Sequence, residues 1–135
     1  MGTQQLLLIA VGVVLIGIMV AIGIFMFKDQ SAATNRDQIS NDLVNLAARA
    51  QKYYRSPASL GGGASSFGGL TLPKLTSKPV NANGEYTLTP DPAPGGTVAI
   101  IIIGEGTEIG NDGENPVKVT MTVTGGDSIL QVANN

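Results

Sequence analysis

A long apolar segment follows the first five residues of the chain. Residues 6–27 contain no charged side chain and read LLLIAVGVVLIGIMVAIGIFMF. A helix of this length measures about 33 Å, enough to cross the hydrocarbon core of a bilayer. Because the segment is apolar on all sides, periodicity selects no buried face, and a plain single-pass membrane anchor is one interpretation. A cleavable signal peptide is disfavoured, since Met1 to Gln5 contain no basic residue and the apolar run is too long.

The segment after Phe27 keeps a helical pattern but becomes amphipathic. Apolar residues recur at spacings of three and four, as one face of an α-helix requires, and they are Ile39, Leu43, Leu46, Ala47, Ala50, Tyr53 and Tyr54. No Gly or Pro interrupts the chain between Ile24 and Ser56, and Pro57 disfavours helical geometry at the residue before it. The pattern predicts one continuous helix of about 50 residues, about 80 Å long, with an apolar half at 1–27 and an amphipathic half at 28–56.

The rest of the chain has the pattern of a loop followed by β-strands. The glycine-rich residues 57–77 predict a flexible or irregular loop. In residues 78–135, strands are predicted at 85–89, 97–103, 117–124 and 128–132, separated by turn residues. Short connections favour an antiparallel meander, whose apolar face needs the helix stripe as its partner. The expected fold class is therefore α+β, with a long N-terminal helix packed on a small antiparallel sheet.

Four consecutive isoleucines, Ile100 to Ile103, break the alternation of apolar and polar residues. Branched apolar side chains on both faces of one strand indicate that both faces are covered. The helix can cover one face. The other is expected to lie under the glycine-rich loop or against another subunit.

Composition removes many classes of function. The 135 residues include no Cys, His or Trp, which excludes disulfides, zinc sites built from Cys and His, and nucleophiles paired with His. The net charge is −2 and no basic run occurs, so nothing indicates direct nucleic-acid binding. The acidic stretch Glu105 to Asn115 could suggest calcium, but its spacing does not match an EF-hand, and a solvated hairpin loop is the expected structure. We expect no enzymatic activity, no cofactor and no metal.

The N-terminal block MGTQQLLLIAVGVVLIGIMVAIG, leading into the helix NRDQISNDLVNLAARAQKYYRSP and a small sheet, resembles the type IV pilins. The resemblance covers the architecture of the whole chain, and the N-terminal block is its most specific part. It implies a precursor whose leader is removed before Met1 by a prepilin peptidase, methylation of the new N-terminus and storage in the inner membrane. The pilus assembly machinery would then polymerise the subunits into an extracellular helical filament, a fimbrium of the kind associated with cell adhesion.

The resemblance assigns filament assembly to the N-terminal half-helix. The residues concerned are Met1, Gln4, Gln5, Leu6, Leu7, Leu8, Gly17, Gly23, Phe25 and Phe27. Gln5 stands where the family usually has glutamate, and an uncharged amide costs less to desolvate but pairs more weakly with a cation. Met1 replaces the usual phenylalanine, and the family's helix-breaking proline and C-terminal disulfide are absent. Between Gly17 and Gly23 the helix is expected to loosen in the filament, the alternative being close packing of membrane helices.

Three cations near the end of the predicted helix indicate a second possible contact between subunits. Arg49, Lys52 and Arg55 have no acid three or four residues further on, whereas residues 57–135 hold seven acids and three bases. These cations can interact with the helix dipole or with acidic groups of neighbouring subunits.

Two other functions remain open at this point. A pseudopilin of a type II secretion system would share the fold but form a short periplasmic assembly. A single-pass anchored β domain would share the hydropathy pattern alone and would remain monomeric.

Overall fold

The computed structural model describes residues 2–133 and contains one long helix and one sheet. Helix α1 (Gly2–Arg55) is followed by a 3₁₀ turn (Ala58–Leu60) and the short helix α2 (Leu72–Leu75). The strands are β1 (Gly84–Thr89), β2 (Ala99–Ile109), β3 (Pro116–Thr124) and β4 (Ser128–Ala133), antiparallel and in the order β1-β2-β3-β4. The α+β class, with a long apolar N-terminal helix and a small antiparallel sheet, is confirmed. The chain divides into two compact units, Met1–Ser31 and Ala32–Asn135.

The first unit is the apolar part of α1. Its large apolar side chains from Leu6 to Phe27 are all exposed, with exposed fractions between 50% at Val11 and 74% at Phe27. By length and composition α1 can cross a membrane, and none of its apolar window is buried within the chain. A core helix of a soluble protein buries most of such a window, whereas this window lies exposed on the helix surface.

The second unit contains most of the amphipathic half of α1, together with the sheet. Residues at spacings of three and four turn to one side and are buried: Ala32, Asn35, Ile39, Leu43, Leu46, Ala47 and Ala50. All of them except Asn35 belong to one core cluster with the inner face of the sheet, which contributes Tyr86, Leu88, Ile100, Ile102, Val117, Val119, Met121 and Val123. The apolar stripe of the helix, which follows a period of 3.6 residues, thus packs on the apolar face of the sheet, which follows a period of 2.

Glycines of β2 allow α1 to lie close to the sheet. A Cβ atom at Gly104 would overlap Cγ2 of Ile39, and one at Gly106 would overlap Oδ1 of Asn35. Asn35 is only 4% exposed, and its amide donates a hydrogen bond to the Asn83 carbonyl at 2.8 Å. Its Oδ1 accepts from the backbone N–H of Glu108 at 3.4 Å, so both ends of this buried amide are satisfied.

Strand β2 is longer than the sequence predicts. The sequence predicts a loop from Glu105 to Asn115, but Glu105 to Ile109 continue the strand, and the loop is confined to residues 110–115. Glu105 pairs with Lys118 across the ladder and forms an ion pair with it at 3.3 Å. Gly104 and Gly106 give this segment the composition of a loop. They are required in the strand because α1 lies so close that a Cβ atom at either position would overlap a helix side chain. The other element ends differ from the predicted ones by one or two residues, α1 ending at Arg55 rather than Ser56.

The expectation that the glycine-rich loop covers the outer face of the isoleucine strand is wrong. Ile100 and Ile102 are fully buried on the inner face, whereas Ile101 is 38% exposed and Ile103 is half-buried. On the outer face their ladder neighbours are threonines: Thr89, Thr87, Thr122 and Thr120. The loop instead sends Phe67 and Leu70 into the core beside the inner face.

The glycine-rich segment is irregular but tied to the end of α1. The N–H groups of Gly63, Ala64 and Ser65 donate to the carbonyls of Tyr53, Ser56 and Tyr54 at 2.8, 2.9 and 2.8 Å. A helix end leaves its last carbonyls without intrahelical donors, and this loop supplies them. The segment therefore serves as the C-terminal cap of α1 rather than as a flexible linker.

Candidate assembly surfaces

The assembly residues predicted in the apolar half of α1 are exposed. Gln4, Gln5, Leu6, Leu7, Leu8, Gly17, Gly23, Phe25 and Phe27 all lie on the helix surface, and Met1 lies outside the described residues. A Cβ atom at Gly12, Gly17 or Gly23 would meet nothing within 4 Å. Each interior glycine costs a helix about 0.8–1 kcal/mol relative to alanine. Since no contact within the chain requires them, these glycines are available for close approach by another helix.

The packing residues predicted on the amphipathic half lie in the second unit. Ile39, Leu43, Leu46, Ala47 and Ala50 are buried in its core, and Tyr53 and Tyr54 are partly buried against it. The Tyr53 hydroxyl donates to the Gly68 carbonyl at 2.7 Å. The rings of Tyr54 and Phe67 have centroids 4.9 Å apart, so both tyrosines hold the glycine-rich segment against the helix.

A groove of about 390 Å³ lies beside the C-terminal end of α1. We call it the basic groove, and its lining residues are Arg49, Lys52, Tyr53, Ser56, Leu60, Gly61, Gly62, Lys74 and Leu75. Leu75 is fully buried, whereas Leu60 is 80% exposed. The groove therefore combines apolar side chains with three cations and contains no carboxylate in its lining.

Two of the three cations of the basic groove, Arg49 and Lys74, are held by neutral groups. Arg49 Nη1 donates to the Leu75 carbonyl at 2.7 Å, and Lys74 Nζ donates to the Gly69 carbonyl at 2.7 Å. Lys74 Nζ also lies 5.3 Å from the centroid of the Tyr53 ring. Across residues 2–133 the recorded ion pair is that of Lys118 with Glu105, so the groove's positive charge is not neutralised by the described chain. Such a surface can bind an anionic group.

Two of the three predicted intersubunit cations line the basic groove, and their contact with a neighbouring subunit stays a prediction. Arg49 and Lys52 line the basic groove, but Arg55 is exposed and is not part of the lining. The structure adds Lys74 and Leu60, which sequence analysis missed because they come from the loop region and α2. Only the folding of residues 57–77 back onto the helix end brings them to Arg49 and Lys52.

The loop between β2 and β3 carries negative charge. Asp112 Oδ1 accepts the N–H groups of Glu114 and Asn115 at 3.0 Å, and its Oδ2 accepts from the Asn115 amide at 2.8 Å. These hydrogen bonds, first that of the Asn115 side chain, lower the pKa of Asp112 below its ordinary value. Among the described residues no group of three or more carboxylates is arranged to hold a metal ion.

A polar cluster at Asp42 was not predicted from the sequence. Asp42 Oδ2 accepts hydrogen bonds from the amides of Asn81 and Asn83 at 3.0 and 2.9 Å and from the Tyr86 hydroxyl at 2.5 Å. The cluster borders a second groove of about 330 Å³, which also contains Arg49 and Lys78. The cluster ties α1 to the chain around β1.

Arg36 is a second polar residue that the sequence did not single out. Its Nε and Nη2 atoms are buried and have no hydrogen-bond partner in the described part of the chain. Buried guanidinium groups normally have acceptors, so Arg36 is an exception to this rule.

Comparison with protein-family models, curated proteins and solved structures gives no match to this chain. The structure establishes the α+β class and an exposed apolar helix of membrane-spanning length.

Proposed function

We propose that this chain is a structural subunit that polymerises through the apolar half of α1 into an extracellular, pilin-like filament. The observation that carries the proposal is the exposure of every large side chain from Leu6 to Phe27. A second support is the sequence resemblance to type IV pilins, which combine such a helix with a small sheet.

The apolar half-helix can be accommodated in two environments. In a bilayer the lipid tails are as apolar as leucine, so helices gain little hydrophobic free energy by meeting each other. Outside the membrane, burial of each large apolar side chain contributes about 1.5–3 kcal/mol. A bundle of these helices would therefore be held strongly in water, and transfer from membrane to filament exchanges one apolar environment for another.

The open surfaces of Gly12, Gly17 and Gly23 support contact between helices. Helix-softening glycines with no neighbour inside the chain are readily explained if a second helix approaches there. α1 is continuous through all three positions in the single chain. The loosening expected between Gly17 and Gly23 concerns the filament and stays a prediction.

The proposal includes a route to the filament. The subunit would be stored in the inner membrane, processed by a prepilin peptidase and polymerised by the pilus assembly machinery. The finished fibre would be displayed at the cell surface, where adhesion is one use for it.

The test is electron microscopy of material sheared from cells that express the chain, with mass spectrometry of the same fraction. We expect uniform thin fibres that contain this chain and a measured N-terminal mass that reports processing and methylation. A matched sample from cells lacking the gene identifies fibres of other origin.

The same experiment separates the alternatives. Short assemblies restricted to the periplasm would favour a pseudopilin. A chain that stays monomeric in the membrane fraction, with no fibres, would favour the single-pass anchor and reject the proposal.

A further inference from the structure

We infer that the basic groove of one copy of this chain binds the tip of the β2–β3 hairpin of the next copy. The hairpin tip is defined as residues 108–114. This inference rests on the proposed function and names a contact between subunits that the apolar helix alone does not specify.

The hairpin tip matches the basic groove in charge. Glu108, Asp112 and Glu114 are exposed, and none of them has a cation partner in the described part of the chain. Asp112 is held as a carboxylate by hydrogen bonds within the loop. Three acids on the tip thus correspond to Arg49, Lys52 and Lys74 of the basic groove.

The two surfaces also match in their apolar parts. Ile109 is 48% exposed on the hairpin tip, and Leu60 is 80% exposed at the basic groove. Contact between them would bury apolar area at the centre of a charged rim, which is the usual organisation of a protein interface. Charge complementarity would add orientation and speed to the encounter of two copies.

The two surfaces cannot meet within one chain. Asn35 on α1 accepts a hydrogen bond from the Glu108 N–H, which places the base of the hairpin tip beside that turn of the helix. Lys52 lies 17 positions further along the same helix, and both residues belong to the second unit. At 1.5 Å per residue the two helix positions are about 25 Å apart.

The separation of the surfaces also determines the kind of assembly. A contact between different patches of two copies is heterologous and generates an open chain of subunits unless the rotation closes a ring. Groove-to-tip contact therefore extends a filament. The alternative is an antiparallel pair in which each groove binds the other tip, and such a pair would not grow.

Engineered cysteines in the full chain test this contact directly. The sequence contains no cysteine, so Lys52→Cys together with Glu108→Cys introduces the only two thiols. Lys52 is exposed and its side chain makes no hydrogen bond within residues 2–133, so the substitution leaves the core intact. The matched control is Arg55→Cys with Glu108→Cys, because Arg55 is an exposed cation on the same helix but outside the groove lining.

Mild oxidation of sheared fibres from the Lys52→Cys/Glu108→Cys chain should give a ladder of dimers, trimers and larger species on a non-reducing gel. The Arg55→Cys control should give none. A second measurement is fibre yield, which should fall about tenfold in Lys52→Glu, because like charges face each other, and recover in Lys52→Glu/Glu108→Lys. Arg55→Glu should leave the yield unchanged.

The outcomes separate this inference from the proposed function. Wild-type fibres with no ladder from the cysteine pair would overturn the groove-to-tip contact and leave the filament proposal standing. Dimers without larger species would overturn the inference that groove-to-tip contact extends a filament, and would indicate a closed pair. Absence of fibres from the wild-type chain would instead reject the proposed function.

Discussion

Asp42 is a surface-facing acid whose hydrogen bonds hold α1 to the chain around β1. Burial raises the pKa of Asp42, but the hydrogen bonds from Tyr86, Asn83 and Asn81 outweigh burial, and the pKa is lowered from the ordinary value of 3.8. Burial, together with the Asp42 carboxylate, raises the pKa of Tyr86 above its ordinary value of 10.0. The pair therefore consists of a carboxylate acceptor and a protonated hydroxyl donor over a wide pH range.

The directions of the Asp42 and Tyr86 pKa shifts predict that the contribution of this pair to the free energy of unfolding is constant between acidic and alkaline pH. A lowered carboxyl pKa contributes stability above about pH 4 and loses it as the pH falls through the folded-state value. A raised phenol pKa contributes stability below about pH 10 and loses it as the pH rises through the folded-state value. Tyr86→Phe should lower the free energy of unfolding by about 1–3 kcal/mol at neutral pH, because a charge-assisted hydrogen bond is lost.

Denaturant titration of the detergent-solubilised chain at several pH values measures this effect. In Tyr86→Phe the free energy of unfolding should decrease less as the pH is lowered than it does in the wild-type chain. Equal acid sensitivity of the two proteins would contradict the assigned role of this hydrogen bond.

Gly104 illustrates a residue whose identity is set by a distant neighbour. Gly104→Ala would bring a Cβ atom into Cγ2 of Ile39 and to 3.1 Å from Cε1 of Tyr86. Overpacking of this kind costs about 1–3 kcal/mol, which thermal or denaturant unfolding followed by circular dichroism can measure. Gly126→Ala is the control, since a Cβ atom there meets nothing within 4 Å. Ile39→Leu removes the Cγ2 branch, so the double variant should lose less stability than the sum of the two single changes.

At the scale of elements, the glycine-rich segment behaves as part of the core. Its backbone N–H groups cap α1, and Phe67 is fully buried. The Phe67 N–H donates to the Thr97 carbonyl at 2.7 Å, which connects the segment to the chain just before β2. Composition alone predicts a flexible or irregular loop because glycine and serine carry no packing signal, whereas the structure buries Phe67 and Leu70 of this segment in the core.

Phe67→Ala should therefore lower the free energy of unfolding by about 3–5 kcal/mol, as expected for removal of a fully buried aromatic ring. Leu60→Ala, in the same segment but at an exposed position, should change it by no more than about 0.5 kcal/mol. Tyrosine fluorescence during denaturant unfolding reports both values, since the chain has no tryptophan. Similar effects of the two substitutions would show that the segment is not packed.

At the scale of the whole molecule, the two units carry different kinds of surface. The first unit presents only apolar side chains from Leu6 to Phe27, whereas the second encloses its own core and displays charged surfaces. Under the proposed function, lipid and then other subunits cover the apolar surface of the first unit.

A charged side chain in the apolar half of α1 should disfavour both its insertion into the membrane and its packing in a filament. Val14→Lys places a cation near the centre of the apolar segment, which costs about 2.5–3.5 kcal/mol on insertion scales. We expect less chain in the membrane fraction and no fibres in the sheared fraction. Thr34→Lys, an exposed position of the same helix in the second unit, should leave both unchanged. Normal fibres from Val14→Lys would contradict assembly through this helix.

Local patterns in the chain were sufficient to predict the continuous helix, the buried stripe from Ile39 to Ala50 and the four strands to within a few residues, apart from the C-terminal half of β2. The reason is that hydrophobic periodicity acts over one element, and each of these elements has a clear period. They also sufficed to predict the apolar half-helix, because residues 6–27 contain no charge, are apolar on all sides and are long enough to cross a bilayer.

Contacts between residues far apart in the chain decided the rest. The extension of β2 through Gly104 and Gly106 depends on how closely Ile39 and Asn35 approach. The partial exposure of the outer face at Ile101 follows from the folding of the glycine-rich segment onto the inner side of the sheet. The basic groove joins Lys52 to Lys74, and the acceptor at Asp42 joins Asn81 to Tyr86. Such pairings carry no local period, because steric fit and hydrogen-bond geometry in three dimensions select them.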